Sequence, residues 1–520
     1  MPLFANEAKT FAEKIRRIIY CNPFAPERIT YEREILGDTY QNWQPYWSKT
    51  SAMQAAQENL AGIMTQVQKR VESVSGIIRH EKKRPDETEK DLYLHLVLFH
   101  LFHYYSGHLD ELITKMLERP EQTPQAGFYR DFEREALALL NVRGNEEFSR
   151  EEVARYFSFF FQLRRAFYHI FQCIIGATPP AARLRAAVWE SIFTHDMARY
   201  SRVLYDRMSE VSCLITGPSG AGKELVARAI GMSSYIPFDP QRQRFIRNFA
   251  EIFFPLHLAA LSPTLIESEL FGHRAGSFTG AVEDREGWFE VCPEEGAVFL
   301  DEIGEVSMEV QVKLLRVLET RQFQRIGDHQ ERLFPGKIIA ATNRLLDHEI
   351  QEKHFREDLY YRLCSDRIVV PSLREHLDQN DAALGRFVAY IAGKIAGPEE
   401  AGNLTEEATR WIEKTLGTDY GWPGNFRELE QCVRNILIRG NYQPLEQSTR
   451  WPVDALLEKI RRGQLDAETL LQHYCSLVFY QAGSYQEASR RLGLDHRTVK
   501  SKIDEKWLAE LQGRNDSEGQ

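Results

Sequence analysis

Five stretches of this chain carry residue types at spacings suited to phosphate chemistry. In "GPSGAGKELVARAI", Gly217, Gly222 and Lys223 satisfy GxxxxGK between a short apolar run and a helical run. Glycines there let backbone N–H groups wrap nucleotide phosphates, the helix N-terminus adds its positive end, and the lysine reaches the outer phosphates. The expected ATP contacts are Gly217, Pro218, Ser219, Gly220, Ala221, Gly222, Lys223, Glu224 and Leu225. Glu224 stands where a Ser or Thr usually helps to hold Mg²⁺. In "GAVFLDEIGE" four apolar residues run into Asp301 and Glu302. A carboxylate at the C-terminal end of a buried strand can face Mg²⁺, so Asp301 is expected to hold the ion and Glu302 to act as general base on a water. "KIIAATNRLL" ends a further strand near Asn343, which is expected to orient that water. In "HFREDLYYRL", Arg356 and Arg362 are candidates to reach a neighbouring subunit's γ-phosphate, an effect on the order of 10³–10⁵ in rate. Arg427, in "GWPGNFRELEQ", is expected to report nucleotide state to a helical lid.

The elements around these residues must form a parallel sheet. Short β-branched runs such as "SCLITG", "AVFLDE", "KIIAATN" and "DRIVVP" alternate with helical runs, the pattern of an α/β layer structure. The expected architecture is multidomain, α and α/β. A mainly helical N-terminal domain spans 1–185 and an α/β ATPase core 188–375. A helical lid at 376–445 and three short helices at 464–508 follow. "ATPPAARLR" (177–185) reads as a linker and "RWPVDALLEKIRRGQ" as a polar connection. The last nine residues, "QGRNDSEGQ", read as disordered.

Composition narrows the class. The 520 residues are 43% hydrophobic and 27% charged, with a net charge of −10, which fits a globular protein and opposes one coated in nucleic acid. None of Cys21, Cys173, Cys213, Cys292, Cys364, Cys432 and Cys475 forms a CxxC pair, so the expected compartment is a reducing cytoplasm. The N-terminus lacks a signal-peptide pattern. The apolar run 156–177 carries Arg164 and Arg165 at its middle, where each charge would cost roughly 2.5–3.5 kcal/mol in a bilayer. It is therefore expected to be a helix buried between domains, with no membrane contact. His95, His100, His103 and His108 do not share one helical face and read as core or interface residues, not metal ligands.

Two further stretches suit macromolecular partners. "GHRAGSFTGAVEDREG" (272–287) is too Gly-rich for a helix interior and too polar for a core strand, yet places Phe278 and Thr279 at its tip. "GSYQEASRRLGLDHRTVKSKIDEKW" fits a helix-turn-helix: Ala488 is small where helices meet, Gly493 sits in the turn, and Asp495 is a good N-cap. Val499 and Ile503 are expected to face the core. His496, Arg497, Thr498 and Ser501 are candidates for base edges, and Lys500 and Lys502 for phosphates.

"GPSGAGKELVARAI", "ESELFGHRAGSFTGA", "GAVFLDEIGE", "QVKLLRVLE", "FREDLYYRL" and "WPGNFRELE" occur in this order. Together they resemble the AAA+ module of bacterial sigma-54-dependent transcriptional activators over about 188–440. The C-terminal segment resembles the Fis-type DNA-binding domain that usually ends them. The resemblance implies ATP and Mg²⁺ as cofactors and a ring, commonly a hexamer, with Arg356 or Arg362 acting in trans. It implies double-stranded upstream DNA and sigma-54 RNA polymerase as partners. Gly276, Ser277, Phe278, Thr279, Gly280 and Ala281 match the family's GAFTGA loop, which touches sigma-54; Ser277 replaces Ala. The family normally has Glu after the loop lysine, as at Glu224. Two departures stand out. His257 occupies the position of an Asn that restrains the base Glu, and is expected to donate a hydrogen bond in its place. The connection 232–251, with Arg242, Arg244 and Arg247, is longer than usual and is expected to be a solvated insertion; contact with a partner or with the N-terminal domain is the second reading. The alternatives to an activator are a AAA+ remodelling ATPase with another client and a DNA-binding repressor with a degenerate ATPase. The N-terminal segment shows neither the acidic pocket of a phosphoacceptor receiver nor a known ligand-sensor motif.

Overall fold

The computed structural model describes residues 4, 6–42, 51–81, 86–141, 148–380, 382–444, 456–457, 459–460, 463 and 465–512. Most of the polar connection and the tail after 512 lie outside them. The chain falls into two compact units, Met1–Gly440 and Asn441–Gln520.

The first unit opens with helices α1 (Asn6–Tyr20), α2 (Glu27–Leu36), α3 (Ser51–Glu81), α4 (Glu87–Tyr104), α5 (Ser106–Glu118), α6 (Tyr129–Leu140), α7 (Arg150–Cys173) and α8 (Pro179–Phe193). Capping boxes start two of them. Asp86 and Glu89 exchange side-chain and backbone hydrogen bonds at α4, as do Ser149 and Glu152 at α7. None of the described helices is long and apolar enough to cross a membrane.

The expected linker 177–185 is instead the start of α8. The Thr178 hydroxyl accepts from the Ala181 N–H, and Pro179 and Pro180 follow. A hydroxyl cap before proline starts a helix, because proline's missing N–H lies among the donors a first turn leaves unbonded anyway. Arg185 is buried and donates to the carbonyls of Ile174 (2.8 Å) and Gly176 (2.7 Å), which closes the turn onto the helix.

Helix α7 is two-faced. Phe157, Phe161, Gln162, Arg165 and His169 are buried along one side, while Tyr156, Phe159, Leu163 and Phe167 are half-buried along the other. The buried side packs on the α/β layer that follows. The 232–251 stretch, expected to be a solvated insertion, forms most of that seam. Its antiparallel hairpin, Phe238–Asp239 with Arg244–Phe245, sets Phe238 edge-on against Phe157 (4.6 Å between centroids) and stacks Phe245 on Phe161 (4.1 Å). The Asn248 amide donates to the carbonyls of Met116, Arg119 and Gln122, satisfying the end of α5. Arg242, Arg244 and Arg247 point outward, so the charges that suggested solvation occupy one side of a ribbon whose aromatic side is buried. The N-terminal helices and the α/β layer therefore share one apolar core, from Phe4 to Val370.

The sheet holds five parallel strands: β1 (Cys213–Thr216), β2 (Phe253–His257), β3 (Ala297–Asp301), β4 (Lys337–Thr342) and β5 (Asp366–Val369), in the order β2-β3-β4-β1-β5. Every residue of β4 is buried, the continuous apolar run expected where helices cover both faces. The lid follows: α9 (Ala383–Thr415), broken at Gly397 where φ is 78°, and α10 (Asn425–Arg439).

In the second unit α11 (Ala467–Ala482), α12 (Tyr485–Leu492) and α13 (His496–Lys502) pack around Val478, Ala488 and Val499, while α14 (Glu505–Gln512) packs on α11 through Trp507 and Leu511 against Leu477 and Tyr480. Gly493 takes the left-handed conformation between α12 and α13, with φ at 68°. Ile503 is half-buried and ends α13.

The four N-terminal histidines occupy separate contacts. His95 bonds the Tyr20 hydroxyl (2.6 Å), His100 lies 3.6 Å from Glu135, His103 packs on Phe99 and Phe102, and His108 on Phe128. Burial also sets a pH response. It pushes His169 down to about 3, aided by Arg165, and His376 down to about 4. Above pH 6.5 both are neutral whether the chain is folded or not. Below it the unfolded chain takes up protons that the folded chain refuses, so stability drops as pH falls toward 4, by about 1.4 kcal/mol per histidine per pH unit. The urea midpoint should fall between pH 7 and pH 5, and His376→Gln should make that fall shallower.

Candidate functional site

The phosphate loop runs from β1 into the helix Lys223–Gly231. Gly222 has φ at 101° and begins that helix with no side-chain cap, leaving the first N–H groups pointed into the loop. Lys223 is buried, and its ammonium donates back to the carbonyls of Gly217 (3.1 Å) and Pro218 (3.4 Å). Burial lowers its pKa, and Glu302 and Asp301 oppose that shift. Glu224 turns away from the loop and pairs with Arg228 at 3.2 Å.

Strand β3 delivers the two carboxylates. Asp301 Oδ1 accepts from the Glu302 N–H at 3.1 Å. Glu302 itself adopts φ 57°, ψ 51°, an uncommon conformation for a non-glycine residue. That turn swings its side chain toward the loop, 4.0 Å from the Lys223 ammonium, and Glu302 Oε2 accepts from the Asn343 N–H at 3.3 Å. Lys223, Asp301, Glu302 and Asn343 thus converge at the C-terminal ends of β1, β3 and β4, the edge where open α/β sheets take ligands.

His257 lies beside Asp301 in the strand register, and its Nδ1 is 3.0 Å from Asp301 Oδ2. The expected hydrogen bond to the base is therefore made to the other carboxylate. The reason is register: a β2 residue level with Asp301 reaches that side chain, while the left-handed turn carries Glu302 toward β4.

The lid turn closes over the loop, through a residue the sequence reading passed over. Asn425 is buried with φ at 53°; its amide donates to the Ser219 carbonyl (2.9 Å) and its oxygen accepts from the Leu373 N–H (2.9 Å). The Phe426 N–H donates to the Gly220 carbonyl at 3.1 Å. A Cβ at Gly220 would stand 2.3 Å from the Gly424 carbonyl oxygen, so glycine there permits the approach. Arg427 reaches the Ser219 hydroxyl at 3.4 Å. An Asn two residues after Pro, before a helical run, was the available signal, since Asn tolerates the left-handed conformation such turns need.

Arg356 and Arg362 lie on the helix Glu357–Leu363 and its N-cap, paired with Asp358 (2.7 Å) and Glu319 (3.4 Å). Neither contacts the phosphate loop of its own chain among the described contacts.

The loop tip stands on a fixed neck. Arg274 bridges Asp284 (2.6 Å) and Asp328 (3.4 Å), and Asp284 also accepts from the Ala275 N–H. The Gly276 N–H donates to the Ala281 carbonyl at 2.7 Å, closing the tip, with Gly276 at φ 80° and Gly280 at φ 105°. Phe278 is half-buried edge-on against His273, and Thr279 and Gly280 are exposed. Ala281 and Ser277 Oγ are buried, the latter without a partner among the described residues.

In the helix-turn-helix, Asp495 accepts from the Arg497 and Thr498 N–H groups and from the Thr498 hydroxyl. Ser501 bonds the Thr498 carbonyl, Lys502 pairs with Glu468 at 2.9 Å, and His496 packs against Tyr485. Arg497 and Lys500 are exposed, with no carboxylate partner among the described residues.

Residues 193–369 match the family described as "Sigma-54 interaction domain". Over 303 residues the chain is 38% identical to the transcriptional regulatory protein ZraR of Escherichia coli K12, covering 57% of this chain and 63% of that one. It is 42% identical over 245 residues to the Nif-specific regulatory protein of Azotobacter vinelandii, covering 46% of this chain and 42% of that one. It is 42% identical over 235 residues to the anaerobic nitric oxide reductase transcription regulator NorR of Aliivibrio fischeri, covering 45% and 42%. The chain thus spans less than two thirds of each relative's length.

Proposed function

We propose, from the premise that residues 193–369 are a sigma-54 interaction domain, that this chain is a sigma-54-dependent transcription activator that remodels the polymerase closed complex by hydrolysing ATP. The observation that carries this reading is the exposed Thr279 tip on an ion-paired neck, on the same α/β layer as the Lys223–Asp301–Glu302–Asn343 pocket.

The mechanism follows from the chain's own groups. The phosphate loop's N–H groups and Lys223 hold the triphosphate, which requires Lys223 to exchange the Gly217 carbonyl for phosphate oxygen. Glu302 takes a proton from a water as that oxygen attacks the γ-phosphorus and the bond to the bridging oxygen breaks. Asn343 positions that water beside Glu302. Asp301 would hold Mg²⁺: a hard cation takes oxygen donors, and this carboxylate ends its strand beside the loop, with phosphate oxygens and water to complete the set. Bound there, the ion neutralises charge on the phosphates. Arg356 or Arg362 of a neighbouring subunit supplies further positive charge, for which a ring is the natural assembly. Arg427 and Asn425, bonded to Ser219, carry loop movement to the lid. Arg497 and Lys500 are the free cations of the recognition helix, and paired modules on upstream DNA supply avidity.

Thr279→Ala tests the reading. ATP turnover should stay within about twofold of the parent, because the tip touches no group in the pocket, while open-complex formation by sigma-54 polymerase is lost. Undiminished promoter opening would refute the activator role. Loss of turnover would mean that the tip serves the pocket.

A further inference from the structure

A cavity of about 770 Å³ lies among the N-terminal helices, bounded by α1, α3, α4, α5, α7 and the segment 197–202 that follows α8, with the exposed Arg202 at its rim. Its wall is apolar and aromatic: Leu98, Phe102, Phe159, Leu163 and Phe167 are half-buried because they face this space instead of one another. That volume falls in the range of cavities that enclose a small organic molecule. The ionised side chains along it are unbalanced. Arg16, Arg28, Arg155, Arg164 and Arg202 line it, against Asp91 and Asp110. Arg16 pairs with Asp91 at 3.2 Å, Arg164 with Asp110, and Arg28 with Glu32 at 2.7 Å. Arg155 and Arg202 have no carboxylate partner among the described residues, and Arg155 lies over the Tyr156 ring at 5.4 Å. His103 sits within the electrostatic reach of Arg28 and Arg164, and burial keeps its ring neutral.

We propose that this cavity binds a small amphipathic anion, an aromatic or long-chain apolar body bearing one carboxylate or sulfonate, with Arg155 and Arg202 receiving the charge. The apolar wall accounts for the body, and the two guanidinium groups that have no carboxylate partner among the described residues account for the head; Arg155 also bonds the Tyr156 side chain. The cavity's place gives binding a route to the rest of the unit. Tyr156, Phe159, Leu163 and Phe167 line it from one face of α7, while Phe157, Phe161 and Arg165 on the other face hold the 232–249 seam of the ATPase. That route rests on the ATPase reading above; binding does not.

The probe is 1-anilinonaphthalene-8-sulfonate, titrated by fluorescence into the full chain at neutral pH. Saturable binding of one probe per chain is expected. The double variant Arg155→Ala/Arg202→Ala should weaken it by about tenfold or more, the loss of charge-assisted contacts. It should leave the uncharged probe N-phenyl-1-naphthylamine bound nearly as before. Leu163→Trp should fill the space and remove both probes. Urea midpoints and ATP turnover of the variants check that the fold persists. Parent-like sulfonate binding in both variants, or binding that does not saturate, would overturn the proposal. Saturable, arginine-dependent binding in a chain that hydrolyses no ATP would uphold the site and sink the ATPase reading instead.

Discussion

Replacing Glu302 with glutamine lowers ATP turnover by about 10²–10⁴-fold and leaves nucleotide binding within a few-fold of the parent, as measured by phosphate release and by titration with a fluorescent ATP analogue. Glutamine keeps the shape and can still accept from the Asn343 N–H, but it cannot take up a proton from water. The prediction is specific to Glu302 because its left-handed backbone turn, not its neighbour's, aims a carboxylate at the lysine. Asp301→Asn makes the instructive contrast. It keeps the acceptor for the Glu302 N–H but removes the charge that would hold the cation, so its turnover should recover partly as Mg²⁺ is raised. Turnover in Glu302→Gln equal to the parent's would remove Glu302 from the chemistry and leave water activation to another group.

The second large effect is on stability. Arg165→Met should lower the unfolding free energy of the first unit by about 2–5 kcal/mol, read from urea titration. It should also speed amide hydrogen exchange across 232–249. Arg165 is fully buried, donates to the carbonyls of Met232 and Ser234, and lies over the Phe161 and Phe249 rings. Methionine fills most of the volume but leaves the buried Met232 carbonyl and the part-buried Ser234 carbonyl unbonded, at about 1–3 kcal/mol for a buried acceptor and less for the other. The adjacent Arg164→Met serves as the control. Its partner Asp110 is about half exposed, so its loss should cost under about 1 kcal/mol. Equal effects at the two positions would show that the seam does not depend on the buried guanidinium.

These two arginines also show what a linear reading can and cannot recover. Two charges in the middle of an apolar run argue against a membrane and for a buried helix. Nothing in their adjacency tells which one enters the core. On a helix, neighbours point about 100° apart, so one face had to be chosen by a partner elsewhere in the chain. That partner is the 232–251 stretch, which its three arginines marked as solvated. Its aromatics, Phe238, Phe245 and Phe249, were the better signal, because a ribbon with charges on one side has another side to bury. The proline pair at 179–180 was misread for a related reason. Proline breaks a helix interior but suits a helix start, and Thr178 in front of it was the cap.

Local order of residues was enough to set out the phosphate loop, the acidic strand end, the glycine-framed tip and the Asp495-capped helix His496–Lys502. Each of these depends on backbone conformations and side-chain types within a few positions of one another, so a short string carries the whole constraint. Tertiary structure alone decided that His257 meets Asp301 instead of Glu302, that Asn425 ties the lid to Ser219, and that helix α7 divides its two faces between the α/β layer and a cavity. Those outcomes depend on strand register and on the closure of long loops, where the pairing energy comes from groups far apart in the chain and no short segment contains both partners.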